Sequence, residues 1–412
     1  MNNKLTKLEK FWVLYDVGNS AFTMLVATIL PIYYNGLAEA AGISSVNYLA
    51  TWGYAMSLCT IIVAFIGPIL GTMADVKGYK KPIFTFFMIV GVLGCAALSV
   101  PKTWIVFLAI FVITKVGYNA SLVFYDAMLT DITSEDRMDM VSTNGYAWGY
   151  IGSGIPFIIS LVFVLMYEKF GITMSAAMTL AFMINAIWWV GLSIPLLKNY
   201  KQIHYIEKPK NVIRTTFTNL GEAFKEILDN KRVLLFLLAF FFYIDGVYTV
   251  IEMATAYGSA VGLDTTGLLL ALLLTQIVAF PASLFFAKLS KTIETGILIK
   301  ICIVAYIGIS LFAIGLDVQW EFWFLAVCVG LFQGAVQALS RSYFAKIIPA
   351  EKSGKYFGIY DICGKGASFL GTTLVSVFAQ ITGRANGGII VISVLLVIGF
   401  ILFMISEKFK KA

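Results

Sequence analysis

The sequence predicts an all-α membrane protein with twelve transmembrane helices in two six-helix pseudo-repeat halves. Three observations predict it. Of the 412 residues, 59 per cent are hydrophobic and 13 per cent charged, where a soluble domain carries about 25 per cent charge. Apolar runs recur near 11–38, 48–73, 83–100, 104–130, 141–166, 174–197, 233–258, 265–288, 295–316, 320–344, 356–382 and 388–405. Each suffices to cross hydrocarbon at about 1.5 Å rise per residue. The longest polar segment, 198–232, divides them six and six, so the expected domains are 1–197, a linker 198–232, and 233–412.

The first run, "FWVLYDVGNSAFTMLVATILPIYY", is too long for a signal-peptide core and lacks a small-residue cleavage site, so it reads as an uncleaved span. It carries Asp16, beside Asn19 and Ser20. A carboxylate within a span costs roughly 2.5 to 3.5 kcal/mol on insertion scales and is kept where protein or water solvates it.

Charge orients the spans. Of the 30 Lys and Arg, 24 lie in or at the edges of 1–10, 74–82, 131–140, 198–232, 289–294, 345–355 and 406–412. Positive charge marks the cytoplasmic side, so both termini are expected there. The net charge of +7 is then topology, and no nucleic-acid partner is expected. Within 198–232, Ile213, Phe217, Leu220, Phe224 and Ile227 recur at helical spacing, which suits an amphipathic helix on the inner membrane surface. A plain tether is the competing reading.

Five cysteines fall inside apolar runs and the single histidine, His204, lies in the linker. Packing is the expected role of the cysteines. No metal site and no cofactor are expected, and hydrolytic catalysis has no nucleophile or histidine cluster to use. The expectation is therefore not an enzyme.

A shift of 215 residues aligns "DITSEDRMDMVSTNGYAWG" (131–149) with "KIIPAEKSGKYFGIYDICG" (346–364), each a polar loop leading into a Gly-containing helix start. With the six-plus-six count, this suits halves related by an axis along the membrane normal, as in many secondary transporters. Polar stripes fall on the first, fourth, seventh, tenth and eleventh spans, whereas the third, sixth, ninth and twelfth are nearly free of charge. Such stripes cannot face lipid, so they are expected to line one aqueous cavity between the halves. The competing reading is that individual charges only glue helices together.

Depth sorts the stripes into expected roles. Asn19, Lys115, Asn119, Asp245, Gln333, Gln337 and Lys365 are the expected solute-binding residues. The mixture of amides and both signs of charge suits a small polar or zwitterionic solute. Asp245, Glu252 and Asp16 are, in that order, candidates for coupling to protons, since a desolvated carboxylate titrates with its surroundings. Asp75, Asp126, Arg341 and Asp361 lie toward the cytoplasmic end as candidate gate residues, with Asp126 and Arg341 at matching positions of the repeat.

The loop "GTMADVKGYKK" (71–81) resembles the signature loop of the major facilitator superfamily. Gly71 would allow close helix approach, Gly78 a tight turn, and Asp75 could cap the N-terminus of a neighbouring helix such as the eleventh span. The matching segment "AKLSKTIETG" (287–296) lacks the pattern, so that half's gate must be built differently. "GYIGSGIP" (149–156) resembles a Gly-rich motif of family exporters, with ordinary packing as the competing reading. More narrowly, "YDVGNSAF" (15–22), "DGVYT" (245–249), "QALSRS" (337–342) and "YFGIYDICGK" (356–365) resemble the branch of the yeast vacuolar amino-acid effluxer of autophagy and its bacterial relatives. Val17 and Gly18 depart from the Trp-Ala pair expected there. The resemblance implies a major facilitator fold and amino-acid export; a bacterial inner or cell membrane is the expected location.

The leading expectation is thus a secondary transporter of a small polar solute, with a proton as coupling ion and lipids around it. One alternative is transport of an amphipathic or lipid-like molecule, suggested by the 15 per cent aromatic content. An ion channel, from another class, would need rings of carbonyls or like charges, and the mixed signs argue against it.

Overall fold

The computed structural model describes residues 4–43, 45–209, 218, 221–222, 225–260, 263–382 and 385–409. It is helical almost throughout, with one isolated bridge among the described residues, Val76 to Ile206. The first run forms two helices, α1 (Lys7–Ala27) and α2 (Ile29–Ala40), not one. Pro31 explains the break: it lacks an N–H and its ring crowds the carbonyl four residues back. Thr28, at φ −131° and ψ −72°, takes up the bend. Its hydroxyl donates to the Met24 carbonyl at 2.6 Å.

The rest of the first half is α3 (Ser45–Ala74), α4 (Lys80–Ala97), α5 (Trp104–Ala127), the short α6 (Leu129–Ile132), α7 (Met138–Leu165) and α8 (Met174–Asn199). The second half is α9 (Lys231–Ala260), α10 (Thr265–Leu289), α11 (Thr295–Ala313), α12 (Gln319–Ile347), α13 (Ser353–Thr382) and α14 (Ala385–Glu407). Among the described residues 11 helical segments are long and apolar enough to cross a membrane. The 30-residue α13 completes the twelve. Lys355, Asp361 and Lys365 dilute its apolar character.

Packing repeats across the halves. In the first half α1 lies on α7 and α8, α5 on α3 and α4, and α4 on α8. In the second, α9 lies on α13 and α14, α12 on α10 and α11, and α11 on α14. Between the halves, α3 meets α13 as α10 meets α7, and α5 meets α13 as α12 meets α7. Each of these pairings has its counterpart, as a pseudo-twofold axis requires.

The outer faces are apolar, with Phe86 and Leu93 on α4, Ile187 on α8, Val304 and Leu311 on α11, and Val394 and Ile401 on α14 all exposed. A surface of that extent belongs in lipid. At the interface the helices close through glycine. A Cβ on Gly71 of α3 would overlap the Gly354 carbonyl of α13, and one on Gly358 would lie 2.8 Å from the Gly67 carbonyl. Two Gly-x-x-x-Gly pairs therefore bring these backbones together.

The α3–α4 turn places Gly78 at φ +79°, a conformation that favours glycine. The linker's first stretch is strapped across this turn. Gln202 donates to the Ala74 carbonyl and accepts from the Gly78 amide, both at 3.0 Å, and the Ile206 amide donates to the Asp75 carbonyl at 2.8 Å. The amphipathic helix expected around 213–227 falls mostly outside the described residues; 225–229 is helical and Ile227 is buried.

Candidate substrate cavity and gate

Between the halves lies a cavity of about 100 Å³, lined by Leu122 and Asp126 of α5, Tyr146 of α7, Phe240, Ile244 and Tyr248 of α9, Gln337 and Arg341 of α12, and Tyr360, Asp361 and Gly364 of α13. It brings together two carboxylates, one guanidinium, one amide and three tyrosines. Both halves contribute. The polar stripes of the fourth, tenth and eleventh spans meet here.

Arg341 closes the cavity's basic end. It belongs to the second half, yet its partners among the described residues are all in the first. Nη1 donates to Asp126 Oδ1 at 2.9 Å, Nε to Ser142 Oγ at 2.9 Å and Nη2 to the Ser142 carbonyl at 3.0 Å. Asp16 Oδ2 stands 3.7 Å from Nη2. The guanidinium lies over the rings of Trp12 and Tyr146, each with its centroid 4.6 Å away, an arrangement in which ring quadrupoles attract the cation. Trp12 is itself held by α5: it stacks on Tyr125 at 4.3 Å and donates to the Tyr125 carbonyl at 3.1 Å. A planar group with five donors suits this site, and a lysine could not satisfy it.

The Gly-rich stretch of α7 makes room for this arrangement. A Cβ on Gly145 would lie 2.6 Å from Asp16 Oδ2 and 3.2 Å from Arg341 Nη2, and one on Gly149 would lie 2.9 Å from Ser20 Oγ. Packing of α7 on α1 therefore accounts for these glycines.

Asp75 sits at the N-terminus of α13. Its two oxygens accept from the Gly354 and Lys355 amides at 2.7 and 3.0 Å, satisfying two of the donors a helix start leaves open. Burial, the largest influence, pushes its carboxyl up to about 7, against the pull of Lys80 and the two amides. Nearby, Lys80 donates to Asp131 at 3.2 Å and to Ser353 of α13 at 2.9 Å. Asp131 also accepts from Tyr200 and from the Ile203 and His204 amides of the linker.

Other expected site residues lie elsewhere. Asp245 is fully buried between α9 and α13, where Oδ1 accepts from the Gly371 amide at 2.9 Å and from Thr249 at 3.4 Å. It does not line the central cavity, because α9 turns Ile244 and Tyr248 toward that space instead. Asn19 is buried and donates back to the Tyr15 carbonyl at 3.0 Å, so it too stays out of the cavity lining. Gln333 lines a different, mostly apolar cavity inside the second half, with Thr249, Met253, Tyr257, Thr275 and Phe322. Lys115 is half-buried over the Tyr118 ring, and Asn119 is buried beside it on α5; neither is among the residues lining the central cavity. Glu252 is exposed, and the side chain of Lys365 lies outside the described residues. Trp12, Ser142, Tyr146, Tyr248 and Tyr360 were not singled out by the sequence. For Ser142 and Tyr146 the signal is their i, i+4 spacing beside Gly145 and Gly149 on α7.

Twelve helices in two equivalent halves around a polar cavity define a transporter of the major facilitator superfamily. The chain belongs to the family described as vacuole effluxer Atg22 like, which matches residues 6–412. It is 41% identical over 407 residues to the uncharacterized MFS-type transporter YxiO of Bacillus subtilis, covering 98% of this chain and 95% of that one. It is 26% identical over 377 residues to autophagy-related protein 22 of Saccharomyces cerevisiae, covering 78% and 70%. Among solved structures it resembles the major facilitator transporter FucP in the outward conformation, at TM-score 0.73, 12% identity and 97% of each chain. It also resembles the human organic anion transporter MFSD10, at TM-score 0.70 and 12% identity over 96% of this chain and 99% of that one. At such identities these two speak for the fold alone.

Proposed function

We propose that this transporter moves a small polar solute, amino acids foremost, by alternating access, and that the movement is coupled to protons. The observation that carries the reading is the central cavity. Asp126, Asp361 and Arg341 face it with Gln337 and three tyrosines, groups that together match an ammonium, a carboxylate and the hydrogen-bonding atoms between them. The name vacuole effluxer for the matching family supports the same reading.

In this proposal the Lys- and Arg-rich end is cytoplasmic, both termini lie there, and the halves comprise 1–197 and 233–412 with the linker between them. The polar crossings between halves gather at that end, so the conformation is closed to the cytoplasm. Solute binding shifts the population toward the inward-open state only to the extent that it binds that state more tightly. A carboxylate whose environment changes between the two states couples the proton. The candidates remain, in order, Asp245, Glu252 and Asp16, of which Glu252 is exposed.

The mostly apolar cavity of the second half favours the second reading, an amphipathic solute, since its walls offer mainly aliphatic and aromatic contacts. Counterflow in proteoliposomes distinguishes them. Exchange of a radiolabelled amino acid against an internal pool supports the first reading; no exchange with any amino acid, together with movement of a lipid analogue, supports the second.

A further inference from the structure

We propose that Asp139, Lys346 and Thr295 form a second inner gate: the counterpart, across the pseudo-twofold axis, of the Asp75 and Lys80 clasp, but built from an ion pair that crosses the halves. This rests on the alternating-access reading. Lys346 Nζ at the end of α12 donates to Asp139 Oδ2 at the start of α7 at 2.6 Å. Thr295 Oγ1, at the start of α11, donates to the same oxygen at 2.5 Å and accepts from Lys346 Nζ at 3.0 Å.

The offset that relates Asp126 to Arg341 is 215 residues. Applied to the first-half clasp, it carries Lys80 to Thr295, Asp131 to Lys346 and the neighbourhood of Gly354 to that of Asp139. At the first-half positions cation and anion belong to the same half, Lys80 pairing with Asp131 at 3.2 Å. At the second-half positions stand a hydroxyl and a cation, which cannot pair by charge. The missing carboxylate comes from the other half, from the position equivalent to a capped amide of α13.

The two sides of the inner mouth therefore open differently. Where α3 meets α13, separation releases the Asp75 cap and the Lys80–Ser353 bond, while Lys80 and Asp131 stay together. Where α7 meets α10 and α12, separation must part Asp139 from Lys346. Asp139 is buried and its Oδ1 has no hydrogen-bond partner among the described residues. A buried carboxylate with one unsatisfied oxygen is incompletely compensated for leaving water, so hydration on opening offsets part of the lost attraction. A permanent joint between helices gains nothing from that defect, whereas a joint that must part is made easier to open by it.

The test places a single cysteine at Ile244, a cavity wall, in a background with the five native cysteines replaced. Its labelling by a membrane-impermeant maleimide is followed from the cytoplasmic face in inside-out vesicles. Asp139→Asn and Lys346→Ala are each expected to raise the labelling rate about tenfold as the inward-open population grows. The double variant should label no faster than the faster single, since both remove one pair. The swap of Asp139→Lys with Lys346→Asp should bring the rate back toward that of the unsubstituted gate. A double variant whose effect is the product of the singles, or a swap that labels as fast as the singles, overturns the gate. Arg341→Ala serves as reference: a rise there with no change in the Asp139 and Lys346 variants overturns this gate alone, and no change in any of the three overturns alternating access as well.

Discussion

Arg341 of α12 and Asp126 of α5 are 215 residues apart, stand at equivalent positions of the two halves, and meet at 2.9 Å. A residue and its own pseudo-symmetry mate thus form an ion pair across the axis. Only residues near the axis can do so. The pair therefore lies where the halves must part for the inner end to open. A buried pair is not by itself a large source of stability, because desolvation opposes the attraction. Its effect is on which conformation is populated.

Arg341→Ala should shift the protein toward the inward-open state. The substitution leaves Asp126 and Asp16 facing each other's charge without the cation, a loss of roughly 3 to 5 kcal/mol when one partner of a buried pair is removed. Cytoplasmic labelling of a cavity cysteine should rise strongly. An unaltered rate would mean that the interface holds without the pair.

Asp75 predicts a pH dependence. In the clasped state its carboxyl is pushed up to about 7; with α13 withdrawn it meets water and returns to about 3.9. The clasped state thus binds the proton more tightly. It is favoured at low pH and loses ground as pH rises from the ordinary carboxylate range to about 7, by up to roughly 1.4 kcal/mol per unit. Labelling from the cytoplasmic side should accelerate between about pH 5 and about pH 7. Asp75→Asn should flatten that dependence.

Gly71→Leu should force α3 and α13 apart, because even a Cβ there overlaps the Gly354 carbonyl. Overpacking of this kind costs about 1 to 3 kcal/mol. A lower Tm of the purified protein is expected together with loss of transport. Normal transport would mean that the glycine pair is dispensable to the closed state.

Asp245→Asn separates coupling from packing. The Gly371 amide can still bond an amide oxygen, so α9 should remain on α13 and Tm should change little. If Asp245 exchanges the coupling proton, flux should lose its response to a pH gradient. Retained gradient dependence would leave Asp245 the task of joining α9 to α13.

Much of this was legible in the sequence. Run lengths marked the spans, lysine and arginine placement separated the two ends, and the 71–81 signature pointed Asp75 at a neighbouring helix start. The pairing of Asp126 with Arg341 followed from their matched positions. Asp245, Asn19 and Gln333 were less legible. Each sits on a polar stripe, yet one turns to the Gly371 amide, one to the carbonyl a turn behind it, and one into an apolar cavity. A stripe specifies a helix face, and its breadth leaves several neighbours within reach.

By itself, the sequence determined that this chain spans a membrane in two six-helix halves, because hydrocarbon tolerates only long apolar helices with their backbone bonds satisfied internally. Tertiary structure alone decided which polar groups share the cavity. That choice depends on how far each helix is rotated about its own axis, and the rotation is set by close contacts such as Gly145 against Asp16 and Gly71 against Gly354, between residues far apart in the chain.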